Sequence, residues 1–135
     1  MTEFPLTAAV PGVEEYRALR VAAGLRAKSK LAAERGLAGS LFAVCIRKDN
    51  TLIGMGRIIG DGGLNYEVVD IAVHPGFQRQ GLGYRIMASL MEYLRNNAPE
   101  SSYVCLIADH GAPALYRKFG FEFTAPVSVG MAIRL

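Results

Sequence analysis

The stretch from Val68 to Asn97 constrains the fold more than any other part of this chain. An apolar run, Val68-Val69-Asp70-Ile71-Ala72-Val73, is stopped by Pro75-Gly76. A loop with two close glycines follows, Gln78-Arg79-Gln80-Gly81-Leu82-Gly83, and it opens a segment that reads as a long helix to about Asn97. On a wheel of about 100° per residue, Leu82, Ile86, Met87, Leu90, Met91, Tyr93 and Leu94 gather within about half the circle. Arg85, Ser89, Glu92, Arg95 and Asn96 fill the opposite arc. A strand that feeds such a helix lays it back across a sheet, so the chain reads as an α/β layer structure.

The loop also carries chemistry. Helix N-termini expose unpaired amides and a partial positive charge. None of Gln78, Arg79, Gln80 or Gly81 is a Ser, Thr, Asp or Asn cap. The amides of Arg79 to Tyr84 are therefore available to an anion, the glycines allow close approach, and Arg79 adds a full charge. The same residues would also serve as a tight strand–helix turn with a water-solvated end. Two nucleotide readings fail on spacing. A Rossmann fingerprint needs glycines tightly following the strand and a third small residue, where this chain has Ile86. A P-loop needs Gly-Lys-Ser/Thr, which is absent.

Upstream, Phe4 to Val10 reads as a short edge strand ended by Pro11-Gly12. Val13 to about Gly36 is helical by composition and is expected to break at Gly24 and Ser29. Leu41 to Ile46 and Thr51 to Ile59 read as an antiparallel hairpin turned at Lys48-Asp49-Asn50. Gly60-Asp61-Gly62-Gly63 then turns the chain into a strand from about Leu64 to Val73. Downstream come a strand over Ser102 to Ala108 and a short helix over Ala112 to Phe119, with Asp109 as its cap and Gly120 past its end. Two final strands are expected at Phe121 to Phe123 and Val129 to Arg134. The sum is an α/β (α+β) chain with a mixed sheet.

The 135 residues suit one domain over 1–135, large enough to bury a core without a metal or disulfide. With 51% hydrophobic and 20% charged residues, wholesale disorder is excluded. No apolar run reaches about 18 residues, so no membrane span is expected. The N-terminus shows no basic-then-apolar leader, and two cysteines make no disulfide framework, so a reducing cytoplasm is expected. A net charge of +3 does not point to nucleic acid but suits a polyanionic small molecule. No Cys/His spacing suggests a metal site.

Two motifs, in order and correctly spaced, give the chain its resemblance to the GCN5-related N-acetyltransferase (GNAT) superfamily. That family's acetyl-CoA signature, Gln/Arg-x-x-Gly-x-Gly/Ala, is similar to Gln78-Arg79-Gln80-Gly81-Leu82-Gly83. The preceding Val69 to Pro75 looks like its central strand and exit. Asp109 to Phe121 resembles the closing motif Asn-x-x-Ala-x-x-x-Tyr-x-x-x-Gly-Phe, with Ala112, Tyr116, Gly120 and Phe121 in register and Asp109 where Asn is usual. The resemblance covers about Leu41 to Arg134. It implies a mixed, mostly antiparallel sheet with splayed central strands, flanked by helices. Residues 1–40 would be the variable part and 41–135 the acetyl-CoA-binding core.

By this resemblance acetyl-CoA is the acyl donor. Its pyrophosphate would sit on the loop amides of Arg79, Gln80, Gly81, Leu82, Gly83 and Tyr84, with Gln78 of the signature also in the cofactor site. Its pantetheine arm would run along Ile71, Ala72 and Val73, beside Asp109 and Ala112. Tyr116 maps to the family's general acid, which protonates the departing thiolate, or it only packs against the sulfur. A thiol of pKa ~8.5 and a tyrosine of ~10 make that transfer modestly uphill. The amine is the harder problem: at pH 7 only ~0.04% of an ammonium of pKa ~10.4 is free base, a penalty of ~4.6 kcal/mol. Glu67 stands where the histone-acetyltransferase branch has a glutamate base, though a solvated strand end would look the same. Asp70, a carboxylate inside an apolar strand, is either a base or a hydrogen-bonded structural group. The Val73 amide is the candidate donor to the developing oxyanion.

The implied activity is direct acetyl transfer to a primary amine of a small molecule. The alternatives are acetylation of a protein or peptide, on lysine or an N-terminus, or a non-catalytic acyl-CoA-binding module. Cys45 and Cys105 read as structural thiols, since no paired histidine supports a nucleophile. His74 and His110 read as loop residues. Arg17, Arg20, Arg26, Lys28 and Lys30 form a basic face, either solvated or in contact with an anionic substrate or the 3′-phosphate of CoA. A homodimer through the final strand is expected by resemblance.

Overall fold

The computed structural model describes residues 4–109 and 112–135, so the loop reading of His110 lies outside the described residues. The elements are β1 (Leu6–Ala8), α1 (Val13–Ala22), α2 (Lys30–Ala38), β2 (Phe42–Lys48), β3 (Thr51–Gly60), β4 (Asn65–Val73), α3 (Leu82–Asn97), β5 (Tyr103–Cys105) and α4 (Pro113–Arg117), with a 3-10 turn at Pro75–Phe77. The sheet runs β1-β2-β3-β4-β5. Its first four strands are antiparallel, and β5 lies parallel to β4. This is the mixed, mostly antiparallel sheet the resemblance implies.

Strand alternation splits the core into two layers. Val44 and Ile46 of β2 face Ile86, Met87, Leu90 and Leu94 of α3. Cys45 faces the other way, among Tyr16 and Leu19 of α1 and Ala33 and Leu37 of α2. α3 lies close to the sheet because Gly54 and Gly56 bare the β3 backbone beneath it. A Cβ on Gly56 would stand 2.6 Å from Ile86 Cγ2 and 2.7 Å from Ile71 Cδ1. The helical stretch breaks where expected. Gly24 takes φ +86°, and the Ser29 hydroxyl accepts the Ala32 amide at 3.1 Å to cap α2. The β3–β4 turn is tied by Asp61, whose Oδ1 accepts the amides of Gly63, Leu64 and Asn65.

β4 carries a bulge. Met55 faces Ala72 and Arg57 faces Val69, so β4 has one residue more than β3 across this interval. Asp70 absorbs it with φ +59°. The extra residue reverses the faces: Tyr66 and Val68 pack toward α3 before it, whereas Ala72 turns to the α1 side after it.

Three expectations need correction. β5 spans Tyr103–Cys105 rather than Ser102 to Ala108. The strands expected at Phe121 to Phe123 and Val129 to Arg134 are not formed; residues 122–135 are exposed, and β5 ends the sheet order. A period-two apolar pattern needs a ladder partner and a covered face, and this segment meets neither within one copy. Finally, Ala112 rather than Asp109 is the N-cap of α4 and makes no side-chain cap bond. The Asp109 carbonyl accepts the Ala112 amide at 3.0 Å.

Candidate active site

The loop before α3 is built to leave its amides open. Gly81 is the N-cap of α3 in the left-handed region at φ +81°, without a side-chain cap bond. Arg79 is also left-handed, at φ +64°. A Cβ on Gly81 would meet nothing within 4 Å, so open space lies against the amides. Leu82 is buried and anchors the first turn, while Gln78, Arg79, Gln80 and Gly81 are exposed. Gly83 lets α4 approach: a Cβ there would touch Leu115 Cδ2 at 3.4 Å. Tyr84 leans on Phe119, ring centroids 4.8 Å apart. The first turn holds no acidic side chain. This uncapped, positively polarised cradle fits a phosphate group.

β4 and β5 part company beside it. Their pairing ends at Glu67 and Cys105, while β4 runs on to Val73. Gly54 and Val73 stand opposite each other, and the next bond is from the His74 amide to the Ile53 carbonyl at 2.8 Å. The Val73 amide therefore points away from β3, to the side β5 has left. The Val73 carbonyl on that side accepts Gln78 Nε2 at 3.0 Å, which pins the exit loop to the strand. His74 caps the 3-10 turn, its Nδ1 accepting the Gly76 amide at 3.1 Å.

A cleft of about 620 Å³ opens at the parting, and Glu67, Asp70, Ile71, Asp109 and Tyr116 line it. Ala72 lies on the buried α1 side instead, and Ala112 is half-buried ahead of α4. Burial raises the Tyr116 hydroxyl above its usual range, and the charge of Asp109 adds to the shift. Tyr116 is thus a protonated donor at neutral pH. Cys105 is raised too, by burial and then by the Glu67 charge, which favours the thiol over the thiolate. Burial likewise raises Cys45, despite the nearby Arg47.

Asp70 is held on both carboxylate oxygens. Its Oδ1 accepts Arg20 Nη1 at 2.6 Å. Its Oδ2 accepts Arg57 Nε at 2.8 Å and the Tyr16 hydroxyl at 2.9 Å. Both oxygens are occupied by donors, and the cluster clamps the bulge to α1. The α1–α2 loop is tied to the same cluster: Arg20 Nε donates to the Arg26 carbonyl at 2.8 Å, and Arg17 Nε to that of Lys28 at 2.9 Å. The sequence reading missed these clamps, because arginine–carbonyl bonds leave no spacing signature. It also missed the Gly54/Gly56 pair, although glycines two apart in a strand signal close backbone approach. Among the described residues no group of three or more His, Cys, Asp or Glu could hold a metal, and no helix is long and apolar enough to cross a membrane.

Comparison with known proteins agrees with this geometry. The model of the Acetyltransferase (GNAT) family matches residues 13–121. A protein of unknown function from meticillin-resistant Staphylococcus aureus, described as a probable acetyltransferase, has a solved structure that is 47% identical with a TM-score of 0.95, covering 98% of this chain and 100% of that one. The uncharacterized N-acetyltransferase ycf52 of Porphyra purpurea is 35% identical over 85 residues, 61% of this chain and 48% of its own length. The histone acetyltransferase TAP1 of Glycine max is 37% identical over 71 residues, 53% of this chain and 30% of its own length. The chain spans about half the length, or less, of such curated relatives.

Proposed function

We propose, given that this chain belongs to the Acetyltransferase (GNAT) family, that it moves the acetyl group of acetyl-CoA directly to the primary amine of a small molecule. One observation carries the reading: a cleft opens where β4 and β5 part, with Glu67 and Tyr116 on its walls, and β4 leads on to the uncapped start of α3. Its volume, about 620 Å³, is that of a small-molecule site. The whole of residues 1–135 acts as one acetyltransferase domain.

Acetyl-CoA supplies an activated thioester. Residues Gln78 to Tyr84 hold its pyrophosphate on their amides, helped by Arg79. The open edge of β4 at Ile71 to Val73 guides the pantetheine arm, with Asp109 and Ala112 beside it. The Val73 amide steadies charge on the carbonyl oxygen. Glu67 receives the proton of the acceptor ammonium, directly or through a water, as the amine attacks. As the C–N bond forms and the C–S bond breaks, Tyr116 gives its proton to the leaving sulfur. Asp70 holds the bulge through Arg20, Arg57 and Tyr16.

The name of the Glycine max relative favours a second reading, acetylation of a protein lysine. Release of free CoA thiol with a panel of small amines and with lysine peptides decides between them. Turnover of amines supports the first reading, turnover of peptides alone supports the second, and acetyl-CoA binding without turnover of either leaves a non-catalytic binding module.

The C-terminal segment supports a homodimer. Val127, Val129, Met131, Ile133 and Leu135 are exposed. Between them, a Cβ on Gly130 would fall 3.2 Å from Ile107 Cδ1, and Arg134 lines the cleft. An apolar face turned outward is covered by a second copy. The free thiols Cys45 and Cys105 suit the cytoplasm.

A further inference from the structure

We propose that the acceptor carries an anionic group, a carboxylate or a phosphate, beside the amine that is acetylated; this rests on the acetyl-transfer reading above. The starting point is an imbalance of charge in the cleft wall. Among the described residues Asp70 is the one carboxylate that pairs with Arg20 and Arg57, and all three side chains are more than nine-tenths buried. Two guanidiniums against one carboxylate leave a net positive charge in a poorly solvated place, which is costly unless an anion answers it. Arg57 spends its other contacts on the Gly36 carbonyl and the Ser40 hydroxyl, away from the cleft. Arg20 uses Nε and Nη1, and among the described residues no acceptor meets its Nη2. Every fully buried side-chain nitrogen and oxygen among those residues does have a partner. Nη2 is therefore not sealed in, and Arg20 lines the cleft.

The rim repeats the pattern. Arg26 and Lys28 of the α1–α2 loop line the same cleft, and among the described residues neither lies within an ion pair. Their backbone is fixed by the Arg17 and Arg20 bonds to the Lys28 and Arg26 carbonyls. The same cleft is lined by Glu67 on β4, which suits an ammonium, and by Asp109 and Arg134. The α1 side and its following loop therefore offer cations to an anionic group, while Glu67 on β4 offers a carboxylate to the amine. This anion is not a phosphate of CoA in the present reading. The α3 cradle begins beyond the end of β4 at Val73, whereas these cations lie against its Glu67 to Ile71 stretch. A lysine-rich peptide would bring further cations to a cationic rim.

The test is calorimetric titration of the CoA-saturated protein with three matched amines, followed by CoA-release kinetics on each. Propylamine is the neutral-tailed probe, 4-aminobutyrate carries a carboxylate, and phosphoethanolamine carries a phosphate; 1,5-diaminopentane is the cationic control. We expect at least one anionic amine to bind and turn over at least tenfold better than propylamine and the diamine. Arg26→Gln and Lys28→Gln should each weaken that amine about tenfold, the loss of one charge-assisted contact, with acetyl-CoA affinity unchanged. Arg20→Gln would also loosen Asp70, so the exposed pair carries the test. Equal or better use of the neutral or cationic amines overturns the inference, as does unchanged binding in both variants. Failure of the wild-type protein to bind acetyl-CoA overturns the proposed function itself, and with it this inference.

Discussion

Tyr116 takes its protonation state from its surroundings. Burial, then the charge of Asp109, lifts its hydroxyl above the usual tyrosine range. An acid with a raised pKa stays protonated as pH rises, so kcat should show no alkaline loss from Tyr116 below about pH 10. Replacing Tyr116 with Phe should lower kcat by about a hundredfold or more and leave acetyl-CoA affinity nearly intact. Equal losses in both would make Tyr116 a binding residue. The same residue was legible in the sequence through its spacing from Ala112, Gly120 and Phe121. Asp70 was legible only as an oddity. Nothing local distinguishes a base from a structural carboxylate, because its partners Arg20, Arg57 and Tyr16 come from distant parts of the chain.

At the scale of elements, the β4 bulge joins sequence to site. Asp70 fixes the turn of the strand, and that turn points Ala72 into the α1 layer and Ile71 toward α3. Asp70→Asn leaves two guanidiniums without their carboxylate, and a loss of about 3–5 kcal/mol in urea unfolding is expected. Gly56→Ala tests the packing of α3 on β3. The added methyl collides with Ile86 and Ile71, and about 1–3 kcal/mol should be lost with little change in m-value. α3, the α1–α2 break and the β2–β3 hairpin were legible because amphipathic period, a serine cap and turn residues are local signals. β5 was read too long because its apolar run extends past the point where β4 and β5 diverge. The residues after Cys105 line the cleft instead of pairing.

For the whole molecule, the last residues matter most. Their strict alternation reads as a strand, yet a strand is a property of a pair, and among the described residues of one copy no strand pairs with it. Sedimentation should show a dimer, and Met131→Asp with Ile133→Asp should give monomers; a monomeric wild-type protein would refute the assembly. Acid stability tests the packing of α1 on β2. Arg47 holds the Glu15 carboxyl below its ordinary value of 4.5, outweighing the effect of burial. A group with a lowered folded pKa stabilises above its unfolded value and loses that stability as pH falls through the folded one. The melting temperature should therefore drop below about pH 4.5, and less steeply in Glu15→Gln.

The most direct test of the central claim is calorimetric titration of acetyl-CoA into the wild-type protein and into Gly81→Glu. The substitution has room, since a Cβ there meets nothing within 4 Å, and its left-handed backbone costs only about 1–2 kcal/mol. The folded variant places a carboxylate where the pyrophosphate belongs. We expect one acetyl-CoA bound per wild-type chain and none by the folded variant; no binding by the wild type, or equal binding by both, would contradict the account.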